Sequence, residues 1–278
     1  LVLQPALRHV GITGVIALSV GLVALSTLLL SSSARDRALL GAECVLLLGV
    51  FLLWPGFGQV EARFLALYKG KGMQSTREFA EDSDYRLEFQ RWGKYSLTEI
   101  MFSERENQFA GFYNDFMQWE FTRNTGFAAR MLGAVPINTA PPGGKIAIIG
   151  AGGGRQVKWA LHPRFSFKEI LALELEPAVL EAVREDLREE FGSVYEAPNV
   201  RAVCREARGY MESSTERFDL IFMPSVGGYP QMMLEPGNMI RTSDAYRTLK
   251  NRLSDRGILA IWYPSGLDPV EILTQQYV

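Results

Sequence analysis

The sequence predicts an α/β protein whose main sheet is parallel, with helices on both faces, preceded by a small antiparallel β module and a transmembrane helix hairpin. Three observations predict this. A short apolar strand at residues 146–149 runs into a glycine-rich turn, strands alternate with helices from there to residue 262, and apolar residues are concentrated before position 60. We therefore divide the chain into a membrane hairpin at 1–59, a linker at 60–84, a β module at 85–140 and an α/β domain at 141–278.

Composition excludes two classes of function. The chain carries 29 basic and 31 acidic side chains, a net charge of −2, so no basic excess predicts a nucleic-acid partner. Its two cysteines and two histidines are too few for a thiolate metal site or a cluster of imidazole ligands, and we expect no metal. The chain begins at Leu1 rather than Met and ends soon after the last predicted core strand, so we expect it to be part of a longer protein.

Two apolar segments near the N-terminus predict the membrane hairpin. Residues 11–30 carry no charge and are long enough to cross about 30 Å of hydrocarbon as a helix, and residues 38–57 are interrupted only by Glu43. The polar connection at 31–37 is short, so both outer ends lie on one side. Flanking basic residues favour the cytoplasm for the large domain. We expect a multi-pass protein of the cell inner membrane, with membrane lipid as its partner.

Alternation of apolar and polar residues predicts the β module. Strands are expected at 85–89, 96–101 and 117–121, with turns at Gly93 and at Asn114. Its aromatic side chains are expected to form core contacts and cross-strand pairs rather than a ligand site. They are Trp92, Tyr95, Phe112, Tyr113 and Trp119.

The glycine-rich turn predicts a ligand site at the end of the first core strand. Glycines leave space where side chains would block a ligand, and the main-chain N–H groups that open the following helix face the same spot. The expected site residues here are Gly150, Ala151, Gly152, Gly154, Arg155 and Gln156.

An acid follows at the spacing typical of nucleotide-binding sheets. The second apolar strand, at 170–173, ends in Glu174, roughly 20 residues after the turn, where a carboxylate accepts hydrogen bonds from ribose hydroxyls. We expect Glu174→Gln to weaken nucleoside binding about tenfold or more and to affect folding little. An α/β domain whose turn binds nothing is the alternative.

The remaining pattern completes the sheet. Pro177 suits the first turn of a helix whose apolar stripe runs to Phe191, and the acidic and basic residues at 181–190 are expected to be solvated. Further strands are expected at 200–203, 218–223 and 257–262, with a helix at 243–253. Strands and helices in this alternation form a parallel sheet with right-handed crossovers.

From residue 85 to 262 the chain resembles the spermidine synthase-like branch of S-adenosylmethionine-dependent transferases. The segments that carry the resemblance are IIGAGGGRQV (148–157), LELEP (173–177), REARGYM (205–211), RFDLIFM (217–223) and residues 243–262. The predicted membrane helices and the GGGR form of the turn resemble the corresponding features of membrane-bound members of this branch. The resemblance implies a Rossmann-like sheet of the class I methyltransferase type, with strand order 3-2-1-4-5. It also implies S-adenosylmethionine or decarboxylated S-adenosylmethionine as the donor.

Position by position, the resemblance assigns roles in a nucleoside site. The glycines would hold the methionine part of the donor and Glu174 its ribose. Glu206 and Ala207 would meet adenine, with Leu175 and Met223 completing the site. Asp219 also matches, but it lies at the start of its strand, so its expected role is structural.

Two departures from the family pattern argue against spermidine synthesis itself. Spermidine synthases carry an aspartate in the turn that holds the donor's amine, and this chain has Gly153 there. They also carry an aspartate after the fourth strand that deprotonates the attacking amine, whereas residues 223–229 contain no carboxylate. A buried cation without an anionic partner is costly, and a protonated amine is not a nucleophile.

Two hypotheses follow. In the first, the chain is a membrane-anchored transferase acting on an unidentified acceptor, for which Tyr113, Asp115, Tyr229 and Glu235 are candidate orienting residues. In the second, it is a non-catalytic subunit that stabilises a larger membrane complex and binds no nucleoside. The missing carboxylates and the weakly charged loop at 229–239 favour the second. Binding of an S-adenosyl nucleoside separates them.

Overall fold

The computed structural model describes residues 84–114, 116–123, 132–224 and 236–262, together with Gly21, Leu22 and Gly41. The predicted membrane segments therefore lie outside the described residues, apart from these three, which are helical. Within the described part, no helix is both long and apolar enough to cross a bilayer. The membrane hairpin stays a prediction.

The described residues form two sheets, as predicted. The first is antiparallel and contains β1 (Tyr85–Trp92), β2 (Leu97–Ser103), β3 (Gln108–Tyr113) and β4 (Phe116–Thr122), paired in chain order. The predicted turns are present at Gly93 and at Asn114, which has a φ of 49°.

This sheet has four strands rather than the three expected from sequence. The additional strand is β3, and residues 109–112 within it are all buried. Residues 109–112 are Phe, Ala, Gly and Phe, a run without polar residues, so the alternation that identified the neighbouring strands is missing.

The second sheet is parallel and has the predicted order. It contains β5 (Lys145–Ile149), β6 (Glu169–Glu174), β7 (Val200–Cys204), β8 (Phe218–Pro224) and β9 (Leu253–Trp262), arranged β7-β6-β5-β8-β9 with every adjacent pair parallel. The strand that precedes the glycine turn is therefore central. Its side chains enter core clusters on both faces, Ile146 and Ile148 on one and Ala147 and Ile149 on the other.

Short helices connect the strands. They are α1 (Val135–Thr139), α2 (Arg155–Ala160), α3 (Pro177–Glu181), α4 (Ala207–Ser213) and α5 (Ser243–Asn251), with 3₁₀ turns at Leu132–Ala134, Val194–Glu196 and Pro236–Arg241. One face of the antiparallel sheet contributes to the same core as α2 and the parallel sheet. Its contributing side chains are Phe89, Ile100, Phe102, Phe109 and Phe121.

The helix that begins at Pro177 is shorter than predicted. After α3 the backbone forms a π-helical turn at Ala182–Asp186, followed by turns that include Phe191. A π turn adds a residue to the helical repeat and changes the direction of the side chains that follow. Phe191 is thereby buried between the sheets, with its ring centroid 4.6 Å from those of Phe109 and Phe121. The charged residues at 184–186 and 188–190 are exposed, as predicted.

Candidate functional site

The glycine turn lies at the carboxyl end of the central strand. Gly150, Gly152 and Gly154 have φ angles of 71°, 52° and 84°, in the left-handed region that favours glycine. The N–H groups of Gly150 and Ala151 both donate to the Leu173 carbonyl, at 2.8 and 3.1 Å, which ties the turn to β6. Helix α2 begins directly afterwards. The local geometry predicted from sequence is confirmed.

Glu174 lies beneath this turn and is not exposed to solvent. Its side chain is buried, and its Oε2 accepts a hydrogen bond from Gly152 N at 2.8 Å. Its Oε1 accepts bonds from Leu175 N at 2.9 Å and Glu176 N at 3.0 Å. Burial raises the pKa of this carboxyl above its ordinary value. The structure brings Glu174 and Gly152 together, and the carboxylate stabilises the conformation of the turn.

A cleft opens beside the turn at the ends of β5, β6 and β7. Four predicted site residues line it together: Gly150, Leu175, Glu206 and Ala207. The remaining lining residues are Ile149, Leu173, Arg205, Gly237 and Ile240. Met223 is buried in the apolar cluster that also contains Ile149, Ala207 and Ile240, so it supports the cleft wall.

Glu206 is held at the rim of the cleft by its own helix. Its Oε1 accepts a hydrogen bond from Arg208 N and its Oε2 one from Gly209 N, both at 2.7 Å. These bonds cap the N-terminus of α4, where two main-chain N–H groups would otherwise lack partners. The carboxylate is therefore fixed in orientation next to the position expected for adenine.

Arg155 and Gln156, both predicted site residues, open helix α2. The guanidinium of Arg155 lies 3.3 Å from the Glu120 carboxylate on β4 and 5.5 Å from the ring centroid of Trp159. Gln156 is buried at the start of α2. The Arg155 side chain therefore joins α2 to β4, and both residues have the predicted place at the helix start.

Tyr113 and Trp119, expected to be core aromatics, reach the glycine turn from the antiparallel sheet. Trp119 Nε1 donates to Tyr113 Oη at 3.2 Å, and this hydroxyl donates to Glu174 Oε1 at 3.4 Å. A Cβ added to Gly153 would lie 2.4 Å from Cζ3 of Trp119, and one added to Gly152 would lie 2.8 Å from its Cδ1. The indole therefore covers the turn at the position where the family carries an aspartate.

Tyr195 supports the turn from another direction. Its hydroxyl donates to the Gly152 carbonyl at 2.6 Å, and the side chain is buried. Burial raises the pKa of this phenol well above its ordinary value, so the group stays a hydrogen-bond donor. The sequence contained no local signal for this contact, because Tyr195 lies in a 3₁₀ turn remote in sequence from the glycines.

Glu176 is a further residue that sequence reasoning missed. It is buried, and its Oε1 accepts a bond from Lys94 N at 2.8 Å. Its Oε2 accepts bonds from Tyr95 N, Ser96 N and Ser96 Oγ, each at 3.0 Å. This carboxylate joins the β1–β2 turn to the start of α3. The sequence feature that indicates a structural role for Glu176 is its position directly before Pro177, where a helix cap is expected.

Asp219 has the structural role expected of it. Its Oδ2 accepts a bond from Lys145 N at 2.8 Å and its Oδ1 one from Ser254 Oγ at 2.7 Å, at the ends of the strands opposite the cleft. The candidate orienting residues Asp115, Tyr229 and Glu235 lie outside the described residues. No group of three or more potential metal ligands occurs among the residues that are described.

Known proteins resemble this chain over part of its sequence and in its fold. No family model matches the sequence. A polyamine aminopropyltransferase of Korarchaeum cryptofilum (strain OPF8) is 27% identical over 116 residues, which cover 41% of this chain and 34% of the relative. The chain therefore matches about a third of the length of this curated relative.

Two solved structures share the architecture. The spermidine synthase of Thermotoga maritima superposes with a TM-score of 0.55 at 18% identity, over 69% of this chain and 62% of the other. A spermidine synthase in complex with the transition-state analogue AdoDATO superposes with a TM-score of 0.52 at 19% identity, over 63% and 57% of the two chains. The chain thus has a spermidine synthase-like fold, a Rossmann-like parallel sheet combined with a separate antiparallel sheet.

Proposed function

We propose that the chain is an aminopropyltransferase-like transferase that binds an S-adenosyl nucleoside in the cleft beside Gly150. The observation that carries this proposal is the meeting of Gly150, Leu175, Glu206 and Ala207 in one cleft at the carboxyl ends of three parallel strands. In open α/β sheets, ligands bind at that end, where the strand order reverses. The sequence similarity to a polyamine aminopropyltransferase supports the same reaction class.

Residues of the cleft offer contacts to the adenosine part of such a donor. Ala207 and Ile240 line it and offer apolar contact to a base, and Leu173 and Leu175, the chain neighbours of the buried Glu174, line it as well. The donor, S-adenosylmethionine or its decarboxylated form, would supply a sulfonium carbon for attack by an acceptor. The chain would supply binding and alignment, which for such transfers account for much of the rate.

The acceptor in this proposal is not a polyamine. Gly153 and the end of β8, Met223 and Pro224, provide no carboxylate where a cationic amine would need one. An acceptor that is already a neutral or anionic nucleophile needs no base at this place. We propose a lipophilic acceptor, delivered from a membrane in which residues 11–30 and 38–57 anchor the chain, with the large domain in the cytoplasm. Protease accessibility of the large domain in sealed vesicles tests this orientation.

A second candidate function is a non-catalytic subunit of a membrane complex. The contact of Trp119 with the glycine turn favours it, since the indole lies where the donor's tail would pass. The internal bonds of Glu174 favour it as well, because they stabilise the turn without a ligand. In this case the fold would act as a scaffold, and the chain would have no affinity for nucleosides.

Analysis of the nucleoside product tests the transferase proposal. The purified full chain is incubated with each donor and a membrane lipid extract, and separately with putrescine. Aminopropyl transfer from decarboxylated S-adenosylmethionine releases methylthioadenosine, whereas methyl transfer from S-adenosylmethionine releases S-adenosylhomocysteine. We expect product with the lipid extract and none with putrescine alone. Absence of either product with every acceptor fraction, from a protein that is folded, would favour the scaffold function.

A further inference from the structure

The carboxylate of Glu174 uses most of its acceptor positions within the protein. An ionised carboxylate offers about four lone-pair positions, two on each oxygen. Oε1 accepts bonds from Leu175 N, Glu176 N and the Tyr113 hydroxyl, at 2.9, 3.0 and 3.4 Å. Oε2 accepts one from Gly152 N at 2.8 Å. Oε1 thus accepts one bond more than its two lone pairs accommodate well, whereas Oε2 has one donor among the described residues.

Tyr113 is the partner that a ligand can replace most readily. Its contact is the longest of the four, and the others come from main-chain N–H groups fixed by the turn and the strand. Given the nucleoside site proposed above, we propose that the ribose diol competes with the Tyr113 hydroxyl for Oε1 of Glu174. Tyr113 is then a specificity-determining residue that distinguishes a sugar with two adjacent hydroxyls from one with a single hydroxyl.

The number of sugar hydroxyls decides whether competition occurs. In this proposal one hydroxyl donates to the second lone pair of Oε2 and leaves Tyr113 in place. The second hydroxyl of a diol has to donate to Oε1, which already accepts three bonds, and it displaces the weakest of them. Tyr113 therefore lowers the affinity for ribonucleosides and leaves that for 2′-deoxynucleosides unchanged.

Displacement of the Tyr113 hydroxyl also affects Trp119, whose indole covers the glycine turn. Its hydroxyl is the acceptor for Trp119 Nε1 at 3.2 Å, so loss of the Glu174 contact frees the hydroxyl and indole to move together. The indole lies 2.4 Å from the position of a Cβ on Gly153, next to the space that a donor's 5′ substituent would need. A ribose diol thus opens the turn to the rest of the donor.

Titration of variants with adenosine and 2′-deoxyadenosine tests this role. The full chain in mild detergent is titrated calorimetrically as parent, as Tyr113→Phe and as Tyr85→Phe. The last is a matched control, because Tyr85 also donates to a carboxylate, that of Glu106 at 3.2 Å, but belongs to a separate buried cluster. We expect Tyr113→Phe to bind adenosine about threefold to tenfold more tightly, the effect of one weak hydrogen bond, since the Tyr113 contact is 3.4 Å long. Its affinity for 2′-deoxyadenosine should equal that of the parent.

Tryptophan emission provides a second measurement. Adenosine should change the emission of the parent, and this change should be absent in Trp119→Phe and with 2′-deoxyadenosine. Equal effects of Tyr113→Phe on both nucleosides, or weaker adenosine binding, would overturn the competition while leaving the nucleoside site intact. No adenosine binding by parent or Tyr113→Phe would overturn both proposals. Binding by Tyr113→Phe alone would support the competition in its strongest form.

Discussion

A Cβ on Gly93 would lie 1.7 Å from Oε1 of Glu176, so the turn between β1 and β2 fits the start of α3 only with glycine at this position. The same carboxylate accepts hydrogen bonds from Lys94, Tyr95 and Ser96, the three residues that follow. This junction fixes the antiparallel sheet against the parallel sheet. It thereby sets the position of Tyr113 and Trp119 over the glycine turn.

Gly93→Ala is expected to destabilise the protein because the added methyl group has no space. Overpacking of this kind costs about 1 to 3 kcal/mol of unfolding free energy. Gly133→Ala is the matched control, since its added Cβ would lie 3.6 Å from the nearest atom, an ordinary contact distance. Urea denaturation of the full chain measures both. Equal stability of the two variants would contradict the close contact between Gly93 and Glu176.

Glu176→Gln tests the charge at the same junction. The amide keeps the shape of the side chain, but its NH₂ group faces N–H donors from the β1–β2 turn instead of accepting from them. We expect a loss of at least about 2 kcal/mol, because buried donors are left without partners. Glu212→Gln is the control, since its carboxylate forms an exposed ion pair with Arg208, and such pairs contribute about 0 to 1 kcal/mol. A loss no larger than that of the control would remove Glu176 from its junction role.

A double-mutant cycle tests whether Trp119 occupies the space beside Gly153. Gly153→Ala should destabilise the parent by about 1 to 3 kcal/mol, because the new Cβ would lie 2.4 Å from the indole. In a Trp119→Leu background the benzene part of the indole is gone, and the same substitution should cost much less. The expected coupling lies within the range of about 0.5 to 3 kcal/mol for residues in contact. An identical cost in both backgrounds would place the indole elsewhere.

Stability should depend on pH through Glu174. Burial raises the pKa of this carboxyl above its ordinary value of 4.5. The folded protein therefore keeps a proton that the unfolded chain has lost, and this contribution, complete below 4.5, disappears as pH rises through the folded-state pKa. The unfolding free energy of the parent minus that of Glu174→Gln should fall as pH increases from 4.5. A difference that rises over this range would have the wrong sign.

Regular patterns in the sequence predicted the sheets well. The parallel strands and the geometry of the glycine turn follow from local alternation and spacing, the strand order and the central position of β5 follow from the family resemblance, and all are present. Strand β3 and the early end of α3 were not predicted. The sequence of β3 has no polar residue between Phe109 and Phe112, so it lacks the alternation of its neighbours. The π turn after α3 precedes Phe191, which packs on the antiparallel sheet in a long-range contact that no local pattern encodes.

The site was less predictable than the sheets. Gly150, Glu174, Glu206 and Ala207 lie at the carboxyl ends of neighbouring strands, as their places after those strands predicted, and their role in ligand binding stays a prediction. The covering of the turn by Trp119 and the burial of Glu176 depend on how the antiparallel sheet docks, which no local pattern encodes. For the same reason the bonds from Leu175 and Glu176 to Glu174 were unforeseen. Because of these bonds, we expect Glu174→Gln to lower the stability of the fold as well as the affinity for a nucleoside, whereas the sequence predicted little effect on folding.

Calorimetric titration with decarboxylated S-adenosylmethionine, and then with S-adenosylmethionine, tests most directly whether the cleft binds a nucleoside. Three forms of the full chain are compared: parent, Ala207→Leu and Ser213→Leu. Ala207→Leu adds bulk to the cleft wall, whereas Ser213→Leu adds it at the exposed end of the same helix. The parent and Ser213→Leu should bind at least one donor with equal affinity, and Ala207→Leu should bind it at least about tenfold more weakly, a difference of 1.4 kcal/mol. No binding by a folded parent at millimolar donor, or equal binding by all three proteins, would contradict a nucleoside site in this cleft.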